Sequence, residues 1–402
     1  MNKIYYFLIF ILILVLLCFG RNGIRRTLQN VKTDNTLLST EEMKADLDYL
    51  KSCVLQNHPK MLNEETKKEY LNFYETLYSK VRTPMSKNNF YFLTMKALAR
   101  LKDGHTSVDL YSPTYKSIDL NFVWLDEGLI ISEGNGILKK GDRILAIGNM
   151  KPQKILDNMR EVISSENDNW VKFKSEQFLP TQEFLSYLNL INKDGKVEVK
   201  VERTYGKNDV IRMNFDKEIN IMKEFYDFEP YYFEVNENSD LGIFYLNACV
   251  YNTDYEEKVE EFFKIVNEKD INKIVVDLRQ NSGGDSRTVY TFIKHLDKIK
   301  KVYVLISKET FSSAILFAGI VKNNDLGIIV GESTGGGTVG YGNIIDFELP
   351  NSGINFNVAT KLVEILNKSG FSETLEPDNQ IQIKRQDIIE DKDPIMDWIL
   401  SQ

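Results

Sequence analysis

Histidine and cysteine are scarce in this chain, three of each in 402 residues, and the few present are scattered. Zinc sites are built from clusters of these side chains at short fixed spacings, so no metal site is expected and no cofactor is called for. Cys18 sits in an apolar amino-terminal run, which leaves Cys53 and Cys249, each readable as a buried thiol or as half of a disulfide. Positive charge is in deficit: 50 Lys and Arg against 58 Asp and Glu give a net charge of -8. With no basic stripe interleaved with aromatics, a nucleic-acid partner is not expected. There is no internal repeat and no low-complexity tract, which excludes a solenoid or a disordered tail. The 43% of hydrophobic residues instead supplies cores for two or three domains.

Long apolar runs are also missing, with one exception. Ile4 to Phe19 is unbroken and uncharged, close to the roughly 17–25 residues that cross a bilayer. No small-residue cleavage site follows, so a retained signal anchor fits better than a cleaved signal peptide. Cys18 stands where a lipoprotein cysteine would, but Leu17 before it is larger than such processing prefers. Arg21, Arg25 and Arg26 follow the run while Lys3 precedes it, which by the positive-inside rule favours a cytoplasmic body.

Residues 1–37 therefore read as membrane anchor and linker. Residues 38–112 read as a helical domain, opened by Thr40-Glu41-Glu42 and carried by Leu47, Leu50, Val54, Tyr91, Met95 and Leu98 at helical spacing. Pro59 makes His58 a turn residue. Residues 113–220 change to strand-like alternation, as in Gly128 to Ile131 and Val197 to Val201. Within them Ile137 to Gly148 resembles the Leu-x-x-Gly-Asp-x-Ile-Leu-x-Ile-x-Gly signature of PDZ domains, which grip extended peptides by strand addition. The stretch between Asn149 and Ile191 is longer than a compact domain of that kind needs. From residue 221 to 402 strands alternate with helices: Leu241–Leu246, Glu256–Val266, Ile274–Leu278, Thr288–Leu296, Val302–Ile306, Ser312–Val321 and Gly327–Val330. That order predicts an α/β layer with parallel strands, followed by a closing hairpin from Phe347 to Ala359.

Three segments carry chemistry. Thr310-Phe311-Ser312-Ser313-Ala314 follows a strand and enters an apolar helix. A serine there can attack a carbonyl while the following amides face the oxyanion, although serine is also a preferred helix cap. Asp277-Leu278-Arg279-Gln280-Asn281-Ser282-Gly283-Gly284 offers glycine N–H groups between a strand and a helix, suited to half of an oxyanion hole. Asp103-Gly104-His105 ends a helix, its glycine read as the helix stop and its imidazole as a general base. His295 lies within a helical stretch and reads as packed or solvated.

These segments, with Gly331-Glu332-Ser333-Thr334-Gly335-Gly336-Gly337 and Leu375-Glu376-Pro377-Asp378, resemble the carboxy-terminal processing (tail-specific) and tricorn-core serine peptidases over roughly residues 40 to 390. The resemblance implies a mixed, mostly parallel α/β catalytic domain of the ClpP/crotonase-like type and hydrolysis of polypeptides. Aligning Gly331-Glu332 with the family's Gly-Glu pair puts Gly337 where the lysine of the tail-specific branch would stand, so the histidine-based branch is implied. Its site would comprise Ser312 as nucleophile, His105 as base, Glu373 as the carboxylate that orients the base, with Asp103 as the other candidate, and amides of Gly283 or Gly284 and Ser313 as oxyanion hole. Glu373 stands about two residues from the family's offset. The resemblance also implies an extracytoplasmic body, against the arginine count. The competing class is a catalytically degenerate relative that binds peptides or apolar ligands in the old cleft.

Overall fold

The computed structural model of the chain describes residues 37–110, 112, 114–220, 228–365 and 372–402. The apolar run from Ile4 to Phe19 lies outside them. Among the described residues no helix is long and apolar enough to cross a membrane.

A six-stranded sheet forms the carboxy-terminal half. Its strands are β6 (Tyr231–Asn236), β7 (Leu241–Leu246), β8 (Lys273–Asp277), β9 (Lys301–Ile306), β10 (Ile328–Gly331) and the short β13 (Asn379–Gln380), side by side in that order. β6 pairs antiparallel with β7 and every other pairing is parallel, so the sheet is mixed and mostly parallel. Parallel strands are covered on both faces and read as continuous apolar runs. Accordingly Ile274, Val275 and Val276 of β8 are all fully buried. One face lies under α7 (Thr253–Glu268), α8 (Arg287–Ile293) and α9 (Ser313–Asn323), through Phe244, Phe262, Phe292 and Phe317. The other is closed by the terminal helix α11 (Pro394–Leu400), whose Ile395 and Ile399 pack on Val275, Leu305 and Val330.

The middle of the chain forms a five-stranded antiparallel sheet of β1 (Asn121–Leu125), β2 (Gly128–Glu133), β3 (Arg143–Ile147), β4 (Val197–Glu202) and β5 (Asn208–Met213), ordered as in the sequence. The long stretch between β3 and β4 holds three helices, α4 (Pro152–Arg160), α5 (Asp168–Phe178) and α6 (Gln182–Tyr187). The free edge of β1 meets α5 and the carboxy-terminal half: the Trp124 amide donates to Glu176 (2.6 Å) and its carbonyl accepts from Lys308 Nζ (3.1 Å).

Three helices precede this sheet, α1 (Thr40–Asn57), α2 (Glu64–Tyr78) and α3 (Lys87–Ala99). α1 begins with a capping box between Ser39 and Glu42. The long hairpin β11 (Val339–Glu348) and β12 (Asn355–Glu364) reaches back to these helices. Asp46, fully buried on α1, accepts the amides of Asn351 and Ser352 at the hairpin tip, each at 2.8 Å. The hairpin is longer than the one expected from Phe347 to Ala359, and it carries Tyr341 up to the turn of His58. Cys53 and Cys249 are both free and buried, which removes the disulfide reading.

Candidate active site

Ser312 is the first residue off the turn after β9. A serine capping α9 would have extended backbone and a side chain bonded to an amide of the first helical turn. Here φ is 52° and ψ −120°, and no side-chain cap bond forms. Such a backbone costs a non-glycine residue on the order of 1–3 kcal/mol, and strained strand-to-helix turns of this kind lift a nucleophile into its cleft. The hydroxyl is presented to His105, whose Nε2 lies 2.9 Å from Oγ. The capping alternative is thereby removed.

His105 sits on a turn after α3. The left-handed residue that ends that helix is Lys102, with φ of 49°, and not the glycine. Gly104 is required for room: a Cβ there would lie 2.8 Å from Phe311 Cζ and 3.1 Å from Glu166 Oε2. The imidazole lies against the Phe311 ring, centroids 4.6 Å apart, and Phe311 stacks in turn on Trp170 at 4.1 Å. Burial lowers the pKa of His105 below the usual imidazole value, with the Asp103 charge opposing in part, which favours the neutral ring.

Asp103 is fully buried beneath this turn. Its Oδ1 accepts the His105 amide at 3.1 Å, and its Oδ2 accepts the Thr106 hydroxyl at 2.6 Å and lies 3.0 Å from His58 Nε2. His58 Nδ1 accepts the Lys60 amide, so the ring proton is on Nε2 and donates to Asp103. The turn histidine is thus a buried support of the site, 2% exposed. Burial alone would raise the Asp103 pKa, but the His58 hydrogen bond and the two imidazoles outweigh it and hold the carboxylate low. Asp103 does not bond the ring of His105: Oδ1 is 3.9 Å from Nδ1. That Nδ1 is buried and has no hydrogen-bond partner.

Two expectations need correction. Glu373 is exposed, its backbone carbonyl is held by Asn167 Nδ2 at 2.6 Å, and among the described residues its carboxylate makes no bond to His105. The Glu373 carbonyl thus helps pin this segment to the Asn167 loop. The amide of Gly283 is also taken, donating to Asn281 Oδ1 at 2.8 Å. Neither the Gly284 nor the Ser313 amide is drawn into such a bond among the described residues. Ser313 Oγ donates to the Gly284 carbonyl at 2.7 Å, which ties the two loops together.

The sequence reading missed Glu166, on the loop between α4 and α5. One oxygen of its carboxylate is buried without a partner, and it forms with Asp103 and His105 a group whose polar atoms lie within 4.8 Å of one another. This is the only such His/Cys/Asp/Glu group among the described residues. It does not suit an ion, because both Asp103 oxygens are already engaged by donors. Burial first, and the Asp103 charge second, push the pKa of Glu166 up to about 8. A cleft of about 500 Å³ opens beside the nucleophile loop at the carboxyl ends of β8 and β9, lined among others by Leu125, Gln280, Lys308 and Glu309. It stops short of Ser312 and His105.

Similarity to known proteins is consistent with this arrangement. No curated protein matches the chain in sequence. Among solved structures, mature CPAF superposes with a TM-score of 0.67 at 12% identity, over 90% of this chain and 96% of that one. CPAF complexed with lactacystin gives the same TM-score and identity, over 90% and 97%. The photosystem II D1 C-terminal processing protease gives 0.47 at 14% identity, over 85% and 93%. At these identities the CPAF structures show a shared fold. Residues 287–381, which hold Ser312 and the glycine-rich segment after β10, match the model of peptidase family S41.

Proposed function

We propose that the chain is a serine endopeptidase acting on polypeptides, with Ser312 as nucleophile and His105 as base. The observation that carries this reading is the 2.9 Å contact between Ser312 Oγ and His105 Nε2 at a serine with strained backbone and no capping bond. Ser312 Oγ attacks the scissile carbonyl carbon as its proton passes to Nε2 of His105. The amides of Gly284 and Ser313 stabilise the oxyanion. When the C–N bond breaks, the imidazolium returns the proton to the leaving amine. Water, deprotonated by the same nitrogen, then releases the acyl group from Ser312. The neutral ring favoured by burial is the form this cycle starts from.

A fluorophosphonate probe tests the assignment. Labelling of the wild type that is lost in Ser312→Ala and in His105→Ala supports it; an unlabelled wild type that still binds peptide turns the reading to the degenerate class. Membrane anchoring by Ile4 to Phe19, with an extracytoplasmic body, completes the proposal. Protease shaving of intact cells decides the side, since a body protected until permeabilisation faces inward. Peptide capture by strand addition at β1 is disfavoured where Trp124 spends both backbone groups on Glu176 and Lys308.

A further inference from the structure

A histidine that takes a proton at Nε2 needs its other nitrogen protonated and held, and the unpartnered Nδ1 of His105 leaves that requirement open. Three carboxylates are near enough to consider. Glu373 is exposed and makes no bond to His105 among the described residues, and both oxygens of Asp103 already accept from His58, Thr106 and the His105 backbone. Glu166 remains: one of its oxygens and the His105 Nδ1 are both buried without a partner, and the two residues offer polar atoms within 4.8 Å of each other. Resting on the Ser312–His105 reading above, we propose that Glu166 is the positioning carboxylate of this site: when ionised it accepts the Nδ1–H of His105 and holds the tautomer whose Nε2 takes the Ser312 proton.

The surrounding geometry supports that role. Gly104, between Asp103 and His105, is the residue whose missing side chain lets Glu166 lie over the turn, at 3.1 Å from where a Cβ would be. The neighbouring Asn167 and Asn169 anchor the Glu166 loop to the carbonyls of Glu373, Ser333 and Thr334. Catalytic hydrogen bonds are often long or poorly aligned in the absence of substrate and tighten only in its complex.

The charge state of the pair follows. Glu166 faces Asp103 and His105 on their turn, the Gly104 amide, Lys60 on the turn after α1, and Tyr341 from the hairpin; His58 lies behind Asp103 and Glu373 beyond Lys60. Burial and the Asp103 charge favour the protonated acid, Lys60 and the Gly104 amide the ionised one, and the outcome is a group that titrates at about 8. Below that range the protonated carboxyl donates to Nδ1 and places the ring proton on Nε2, the wrong nitrogen for a base. Loss of one proton from the pair leaves an ionised Glu166, Nδ1–H and a free Nε2. The pH at which activity rises is therefore a property of the pair.

The test is the pH dependence of kcat and KM for Glu166→Gln and Glu166→Asp in the full chain, with circular dichroism to confirm folding. Wild-type kcat should rise along a limb near pH 8. In Glu166→Gln that limb should move by at least one pH unit to below the usual imidazole value. Its plateau kcat should fall about 100-fold or more, with KM changed less than threefold, because the lost charge acts when the imidazolium forms. Glu166→Asp should recover at least tenfold of that loss. A Glu166→Gln enzyme with the parent limb and kcat overturns the proposal while leaving the Ser312 reading intact. So does the same pattern of losses appearing in Glu373→Gln instead. An active Ser312→Ala would overturn the underlying reading separately. If Glu166→Gln does not fold, the chemical shift of ¹⁵N-labelled His105 in the wild type decides: a protonated Nδ1 above the limb supports the pair, and an unprotonated Nδ1 there overturns it.

Discussion

Gly283→Ala tests whether the two glycine-containing loops shape the nucleophile or merely flank it. Gly283 has φ of +103°, outside the region an alanine adopts without strain, which costs roughly 1–3 kcal/mol. The larger effect is contact: the added Cβ would stand 2.6 Å from Ser312 Cβ, 3.0 Å from the Phe311 carbonyl and 3.1 Å from the Ser313 amide. Ordinary contact begins at 3.4 Å, so relief at Ser312 Cβ alone requires 3.4 minus 2.6, or 0.8 Å of movement. Movement on that scale is enough to break the 2.9 Å bond from Ser312 to His105. A misplacement of about 1 Å at reacting groups costs on the order of 100-fold in rate. The expected variant is folded, lower in melting temperature, and about 100-fold down in kcat, with fluorophosphonate labelling slowed in proportion. Wild-type kcat and labelling in a folded Gly283→Ala protein would refute the reasoning, because they would mean that Ser312 does not depend on this contact.

Ser312→Ala should abolish hydrolysis, with a loss on the order of 10⁴–10⁶ in rate, while Ser313→Ala, which loses one hydrogen bond to Gly284, should keep measurable turnover and lose about 1 kcal/mol in denaturant unfolding; the reverse pattern would shift the nucleophile by one residue. His58→Ala should destabilise the fold by about 3 kcal/mol, because it strips a fully buried carboxylate of a donor, and a melting temperature within a degree of the parent would show that Asp103 does not need it. Stability should also fall as pH rises between the unfolded and folded titration of Glu166, from 4.5 to about 8. The sign follows because a raised folded pKa means that the native state holds a proton which the unfolded chain releases. Glu309, pushed up to about 7 chiefly by burial, contributes in the same window, so the readout is the difference in melting curves between parent and Glu166→Gln. An unchanged slope in the variant would mean that Glu166 titrates alike in both states.

Much of the catalytic half is legible because parallel strands leave a simple trace. Val302 to Ile306 and Ile274 to Val276 are apolar on both faces, and each leads into a turn and then a helix. The serine pair between a strand and an apolar helix is visible in the same way, but it also reads as a helix cap, and only the backbone of Ser312 removes that alternative. Elsewhere the signal was local and the cause was not. Gly104 after a helix reads as a stop, yet Lys102 makes the left-handed turn and Gly104 gives space to Phe311 and Glu166, two residues distant in sequence. Pro59 marks a turn at His58 correctly, but nothing in that stretch announces the burial of the imidazole against Asp103. Glu166 had no motif at all. The one pointer was the surplus length between β3 and β4, a stretch that proves to carry three helices and a loop laid over the base.

The glycine-rich loop after β8 does structural work that its sequence does not announce. Its paired glycines suggest oxyanion donors, but several of its bonds hold the Ser312 turn. Asn281 donates to the Leu246 carbonyl at 2.8 Å and receives the Gly283 amide, while its own carbonyl accepts the amide of Phe311 at 3.0 Å. The Thr310 hydroxyl reaches the Leu278 carbonyl at 2.9 Å, and Ser313 closes on Gly284. Bonds on both sides of Ser312 thus fix its neighbours, and a backbone conformation costing about 1–3 kcal/mol persists only when its surroundings over-determine it in this way. In the proposed mechanism oxyanion stabilisation is left to the Gly284 and Ser313 amides, which this clamp leaves unengaged among the described residues and which lie on the two loops joined by the Ser313–Gly284 bond. On the proposed mechanism, one set of contacts therefore holds Ser312 toward His105 and joins the two loops whose amides would receive the charge of its attack.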